Sequence, residues 1–90
     1  MELPLKISQL IENGDFSCAI SLLDEFIAHH PDAATAYYER GRLHWRLGNH
    51  RKAISDYCSA DNLAPHGKAE QALNQAREIM DFFNPDIYNP

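Results

Sequence analysis

Several sets of residues in this chain have types that could do chemistry. The first is the histidines, of which there are five. His29-His30 followed by Asp32 offers metal-ligand side chains, but adjacent helical residues point about 100° apart and do not converge as an i, i+4 pair would. A helix end suits them better, because cationic side chains favour the last turn. The second set is Cys18 and Cys58, far apart and in no CxxC or zinc spacing. On apolar-rich segments they read as reduced, core or near-core residues of a reducing compartment. Paired acids such as Asp24-Glu25 are neighbours on a solvated face. Met80, Phe82 and Phe83 read as core residues rather than a cofactor pocket. No Gly-rich phosphate loop, HExxH, GxSxG or nucleophile context is present. Neither catalysis, a cofactor nor a metal is expected.

The third set is a basic stretch with aromatics inside it. Arg40, Arg42, Arg46, Arg51 and Lys52 fall in one segment that contains no acid, although the chain carries a formal charge of -5. That total argues against a general nucleic-acid binder, while the local excess hints at an acidic partner. Helical spacing separates two faces here. Tyr37, Gly41 and His44 share one; Tyr38, Arg42, Trp45 and Arg46 share the other. Exposed Tyr, Trp and Arg are enriched at interface hot spots. The competing reading packs Trp45 against Leu10, Ile11 or the last helix and leaves the arginines as solubilising charge.

The elements that must position these residues follow from an internal repeat. Ninety residues make one domain with a modest core. Shifting the chain by 34 places Gly14 on Gly48, Asp15 on Asn49, Ala19 on Ala53, Ile20 on Ile54 and Pro31 on Pro65. Glycine in the left-handed conformation closes a helix C-terminus. The segments that follow carry apolar residues at helical spacing: Ala19, Ile20, Leu23, Phe26 and Ile27, then Ala53, Ile54, Tyr57 and Ala60. Pro31 and Pro65 then end them. Each unit is therefore a helix, a tight turn, a second helix and a proline-marked link. The N-terminal MELPLKISQLIENGD has no signal-peptide pattern, and nothing approaches the ~20 apolar residues of a membrane span. A soluble, cytoplasmic protein with no membrane partner is expected.

Residues 34–67 resemble a tetratricopeptide repeat. Tyr37 takes the place of the opening Trp, Gly41 is the packing glycine, and His44 stands where Tyr is usual. Ala53, Tyr57 and Pro65 complete the pattern. Arg40 replaces the usual Leu and is expected to snorkel to solvent. The first unit keeps Leu3, Leu10, Gly14, Ala19, Leu23 and Pro31, with Ile7 at the small packing site. A third copy, with Ala72, Ala76, Ile79, Met80 and Phe83 at helical spacing, lacks its turn glycine and looks like a capping helix.

The resemblance implies an all-α, right-handed α-solenoid of about five helices. It divides the chain into a domain over 1–84 (repeats at about 1–33 and 34–67, a cap at about 68–84) and a tail at 85–90. In this family the first helix of each repeat lines a concave groove, which makes Tyr38, Arg42, Trp45 and Arg46 the groove residues. The carboxylate-clamp subtype is not matched: its Lys and Asn places hold Pro4, Ser8 and Glu39. The expected function is a non-catalytic protein- or peptide-binding module for acidic or carboxylate-bearing partners. The alternative is a structural, self-associating unit that forms a homodimer. The tail from Asp86 to Pro90 reads either as an ordinary terminus or as an occupant of the groove.

Overall fold

In the computed structural model, which describes residues 3–83 and side chains through Ile79, the repetition of residues becomes a repetition of hydrogen bonds. Gly14 and Gly48 adopt φ of 80° and 84°. Around the first, Gly14 N–H donates to the Ile11 carbonyl at 3.0 Å and Asp15 N–H to Leu10 at 2.9 Å. Around the second, Gly48 N–H donates to Trp45 at 3.0 Å and Asn49 N–H to His44 at 2.8 Å. Both are Schellman closures, in which a left-handed glycine lets the chain satisfy the last carbonyls of the helix it leaves.

These turns separate α1 (Leu5–Glu12) from α2 (Phe16–His29) and α3 (Ala34–Arg46) from α4 (His50–Leu63); α5 (Lys68–Phe83) follows. Pro31 and Pro65 stand two residues beyond the ends of α2 and α4. The fold is all-α. No helix among the described residues is long and apolar enough to cross a membrane. Side chains of Met80, Phe82 and Phe83, expected in the core, and the tail at 85–90 lie outside the described residues.

Packing follows chain order: α1 on α2, α2 on α3, α3 on α4 and α4 on α5. The first cluster is built on the α2 stripe Ala19, Leu23 and Ile27, which meets Ile7 of α1 and Ala36 and Leu43 of α3. Spacings of four place that stripe along one side of the helix. The second cluster joins Ala53 and Tyr57 of α4 to Leu73 of α5, with Tyr38 and Trp45 against it. α5 also buries Ala69 and Ala76.

Gly41 decides how near α3 and α4 come. A Cβ there would lie 2.8 and 2.9 Å from two Tyr57 ring carbons and 3.2 Å from the Ala53 carbonyl oxygen. Only a residue without Cβ lets the tyrosine ring lie on the helix backbone. In the first unit Ile7 occupies that place and is itself 1% exposed. Its side chain fills the space between α1 and α2, and α3 with α4 is the more closely joined pair.

Two expectations are corrected. Cys18 is exposed rather than near the core. It precedes Ala19, so it lies about 100° round from the buried stripe. The Asp15 carboxylate, by hydrogen bond and charge, pushes its thiol pKa up, which disfavours the reactive thiolate. Cys58 is half-buried against the second cluster. Arg40, expected to reach solvent, is instead held between two carboxylates, because tertiary packing brings Asp24 and Asp56 to either side of it.

Candidate protein-interaction surface

α1, α3 and α5 present a common face on which two depressions meet. One, of about 600 Å³, lies between α1 and α3 over Leu3, Ile7 and Ile11, with Ser8, Glu12, Thr35 and Glu39 around it. The other, of about 270 Å³, lies between α3 and α5, where Tyr38, Ala60, Ala64, Lys68 and Ala69 line it together with Thr35 and Glu39. Because both share Thr35 and Glu39, they form two halves of one surface with α3 as the ridge between them.

Tyr38 and Arg42 are brought together on that ridge. The half-buried Tyr38 ring lies 5.9 Å from that of Tyr57, and the Arg42 guanidinium carbon sits 5.8 Å over Tyr38. Arg42 donates a long, exposed hydrogen bond to Glu39 at 3.4 Å. Arg46 stands apart, its guanidinium 5.2 Å over the ring of Phe16 at the start of α2. Trp45 turns the other way. Its indole stacks on His50 at 4.0 Å and walls a crevice of about 110 Å³ with Tyr57 and with Ala72, Gln75, Ala76 and Ile79 of α5. Of the four residues singled out by spacing, Tyr38 and Arg42 thus form a pair. Arg46 and Trp45 flank that pair on different neighbours.

Two charged residues of this surface, Glu12 and Lys68, were not singled out by sequence, and Glu39 was weighed there only as a mismatch to the carboxylate clamp. Glu39 was legible in principle, since it lies one turn from Thr35 and Arg42 on α3. Its presence makes the α1–α3 half acidic at the rim, whereas the Arg42 side is basic.

The remaining basic residues lie elsewhere. Arg40 donates two hydrogen bonds to Asp56, Nε to Oδ2 at 2.9 Å and Nη2 to Oδ1 at 2.7 Å, and a third through Nη1 to Asp24 at 2.8 Å. The fork geometry matches the planar guanidinium, and the Asp56 hydrogen bonds hold its pKa above the usual arginine value. Asp56 is the one buried polar residue among the described residues, 5% exposed. His44 joins them with Nε2 3.9 Å from Asp56 Oδ2, while its Nδ1 is buried with no hydrogen-bond partner among the described residues. Burial lowers the His44 pKa, opposed by the Asp56 charge. With Lys52, these residues line a separate polar depression of about 370 Å³. The cluster ties α2, α3 and α4 together.

The His29-His30 pair behaves as helix-end residues. His29 Nδ1 donates to the Glu25 carbonyl at 3.0 Å, and the His30 ring lies 4.6 Å from that of Phe26. No three His, Cys, Asp or Glu side chains gather in a metal-holding group among the described residues.

Comparison with known proteins agrees with this architecture. Residues 7–67 match the tetratricopeptide repeat family. A TPR repeat-containing protein of Rhizobium etli is 38% identical over 55 residues, covering 61% of this chain and 27% of that protein. The chain thus spans about a quarter of the length of that relative. The solution NMR structure of a Bacteroides fragilis protein superposes with a TM-score of 0.84 at 37% identity, covering 99% of this chain and 91% of the other. Tetratricopeptide repeats are in general protein-interaction modules, and the fold is typically non-catalytic. With the 34-residue period, the packing glycine and a match over most of its length, the chain belongs to the tetratricopeptide repeat family.

Proposed function

We propose that this protein is a non-catalytic interaction module that binds an extended segment of an acidic or carboxylate-bearing protein across the α1–α3–α5 face. The observation that carries this reading is Arg42, whose guanidinium lies over Tyr38 and, among the described residues, is tied only by a 3.4 Å exposed bond to Glu39. Such a bond is worth little in water. A ligand carboxylate can replace it with shorter, bidentate hydrogen bonds over an aromatic floor. Arg46 supplies a second cation one turn further along α3. Trp45 stiffens the end of that helix against α5, and Leu3 and Ile11 offer an apolar seat beside it. In this reading α5 serves as the cap of a two-repeat domain. Free Cys18 and Cys58 suit a reducing compartment such as the cytoplasm.

A peptide array spanning acidic, basic and free-carboxylate sequences, each with one apolar residue, tests this. Selected acidic peptides are then titrated by calorimetry against the parent and the Arg42→Glu/Arg46→Glu protein. Binding is expected to weaken with salt and to fall at least about tenfold, ~1.4 kcal/mol, in the variant. Equal affinity in the two proteins would refute the assignment.

A further inference from the structure

The two halves of the α1–α3–α5 face carry opposite charge, and the boundary between them is a single carboxylate. Toward α5 the charged residues are Arg42, over the Tyr38 ring, and Lys68 on the wall of the α3–α5 depression. Toward α1 they are Glu12 and Glu39, which line the α1–α3 depression with no Lys or Arg beside them among the described residues. Glu12 and Lys68 enter no ion pair among the described residues, and Glu39 meets only Arg42, at 3.4 Å. This half of the face therefore offers two carboxylates and lacks a cation of its own.

An extended segment that occupies both depressions has to cross Glu39, because that residue lines both. Its side chain is already only 24% exposed, so a ligand lying over it removes most of the water it has left. A carboxylate covered in this way needs a new donor, since desolvating it unpaired is costly. A purely acidic ligand makes matters worse: its own carboxylate draws Arg42 away and leaves Glu39 with less compensation than before. A backbone N–H can serve one oxygen, but two carboxylates around one depression are matched by a charge. A lysine or arginine of the ligand fits the shape as well as the sign. Its aliphatic stem can lie on the partly buried Leu3 and Ile11, with its charged end at Glu12 and Glu39, as long cationic side chains divide themselves between apolar and polar surroundings.

We propose that the segment bound across this face carries both signs of charge: an acidic residue on the Arg42 and Lys68 side of α3, and a lysine or arginine in the α1–α3 depression, with Glu39 as the residue that selects the cation. This rests on reading the α1–α3–α5 face as the peptide surface. Complementarity of this kind governs which ligand binds, and in which orientation, more than how tightly. Its signature is therefore a sorting of peptides by charge.

Short synthetic peptides test this. Each holds one aspartate and one leucine, with lysine, glutamine or glutamate placed at every other position in turn, and is titrated by calorimetry against the full chain. At the preferred position lysine should bind at least about tenfold more tightly than glutamine, ~1.4 kcal/mol, and glutamate more weakly than either. Glu12→Gln/Glu39→Gln, near-isosteric changes at an exposed and a half-buried residue, should erase the lysine preference while raising affinity for the glutamate peptide. A merely structural role for Glu39 would instead weaken all the peptides alike, and that result would refute its part as selector. Lysine and glutamine peptides that bind the parent equally, or a lysine preference undiminished in the variant, would overturn the proposal. If either occurs while Arg42→Glu/Arg46→Glu still weakens binding, the acidic-ligand reading stands and this inference alone falls. If binding ignores Arg42 and Arg46 yet follows lysine through Glu39, the lysine seat is upheld and the acidic-ligand reading falls instead. Absence of binding by every peptide, with the fold intact by circular dichroism, would overturn both.

Discussion

Replacing Gly41 by alanine sets two effects of opposite sign against each other. In a helix interior alanine is favoured over glycine by about 1 kcal/mol. The new methyl group, however, would sit 2.8 and 2.9 Å from Tyr57 ring carbons and 3.2 Å from the Ala53 carbonyl oxygen. Carbon atoms prefer separations of about 3.5–4.0 Å, so α3 and α4 must part or the tyrosine must turn. Turning is obstructed, because Tyr57 is 5% exposed and its ring packs against Tyr38. Overpacking of this kind costs about 1–3 kcal/mol. With ring and backbone both obstructing, the upper half of that range applies, leaving a net loss of about 1–2 kcal/mol after the propensity gain. For a domain of this size each kcal/mol moves the thermal midpoint by about 4–8 °C. Urea and thermal unfolding followed by far-ultraviolet circular dichroism measure the loss. Asn74→Gly and Asn74→Ala, at an exposed α5 position, calibrate propensity alone. In a Tyr57→Leu background the same Gly41→Ala change should cost markedly less, since the obstructing ring is gone and only the Ala53 carbonyl contact remains. A Gly41→Ala protein more stable than the parent by the full propensity gain would refute the close approach of α3 and α4.

Two further outcomes rest on the Arg40 cluster. Arg40→Ala leaves the buried Asp56 carboxylate without its partner and should cost on the order of 3 kcal/mol in urea unfolding, whereas Arg40→Met combined with Asp56→Leu should come much closer to the parent. His44, whose pKa is lowered by burial from 6.5, makes stability depend on pH. Because the unfolded chain takes up the proton first, stability is full above 6.5, declines as pH falls through that value and levels off below the folded pKa. His44→Gln should flatten that descent in chemical unfolding at a series of pH values; an unchanged slope would clear His44 of responsibility.

What sequence disclosed, and what it concealed, divides along physical lines. The helices, their turns and the packing glycine were legible because each depends on residues a few positions apart: Gly14 and Gly48 close their own helices, and Gly41 belongs to a spaced pattern. Arg40 was misread because its carboxylates, Asp24 and Asp56, each lie sixteen residues away, beyond the reach of any single-helix rule. The basic stretch is continuous in sequence yet divided in space. Residues 40 and 42 are about 200° apart on one helix, so Arg40 goes to the buried cluster and Arg42 to the peptide face. Cys18 was misplaced by weighing residue type over phase, although the stripe Ala19, Leu23 and Ile27 already put it off the buried side. Glu12 escaped notice, and Glu39 was weighed only as a mismatch to the carboxylate clamp, because attention fell on one sign of charge.

Since every helix packs chiefly on its neighbours in the chain, almost all of the contact energy is gained by closing short loops. Low contact order favours rapid folding, and nothing in this arrangement obliges the two ends to find one another first. It also means that stability is not shared evenly along the chain. The α3–α4 hairpin, joined most closely through Gly41 and Tyr57, can retain its structure while an outer helix opens. α1, with eight residues and Ile7 wedged where a glycine would admit closer packing, is the element positioned to detach first. Its departure would open the α1–α3 depression and expose the apolar wall of α2 in a single local event.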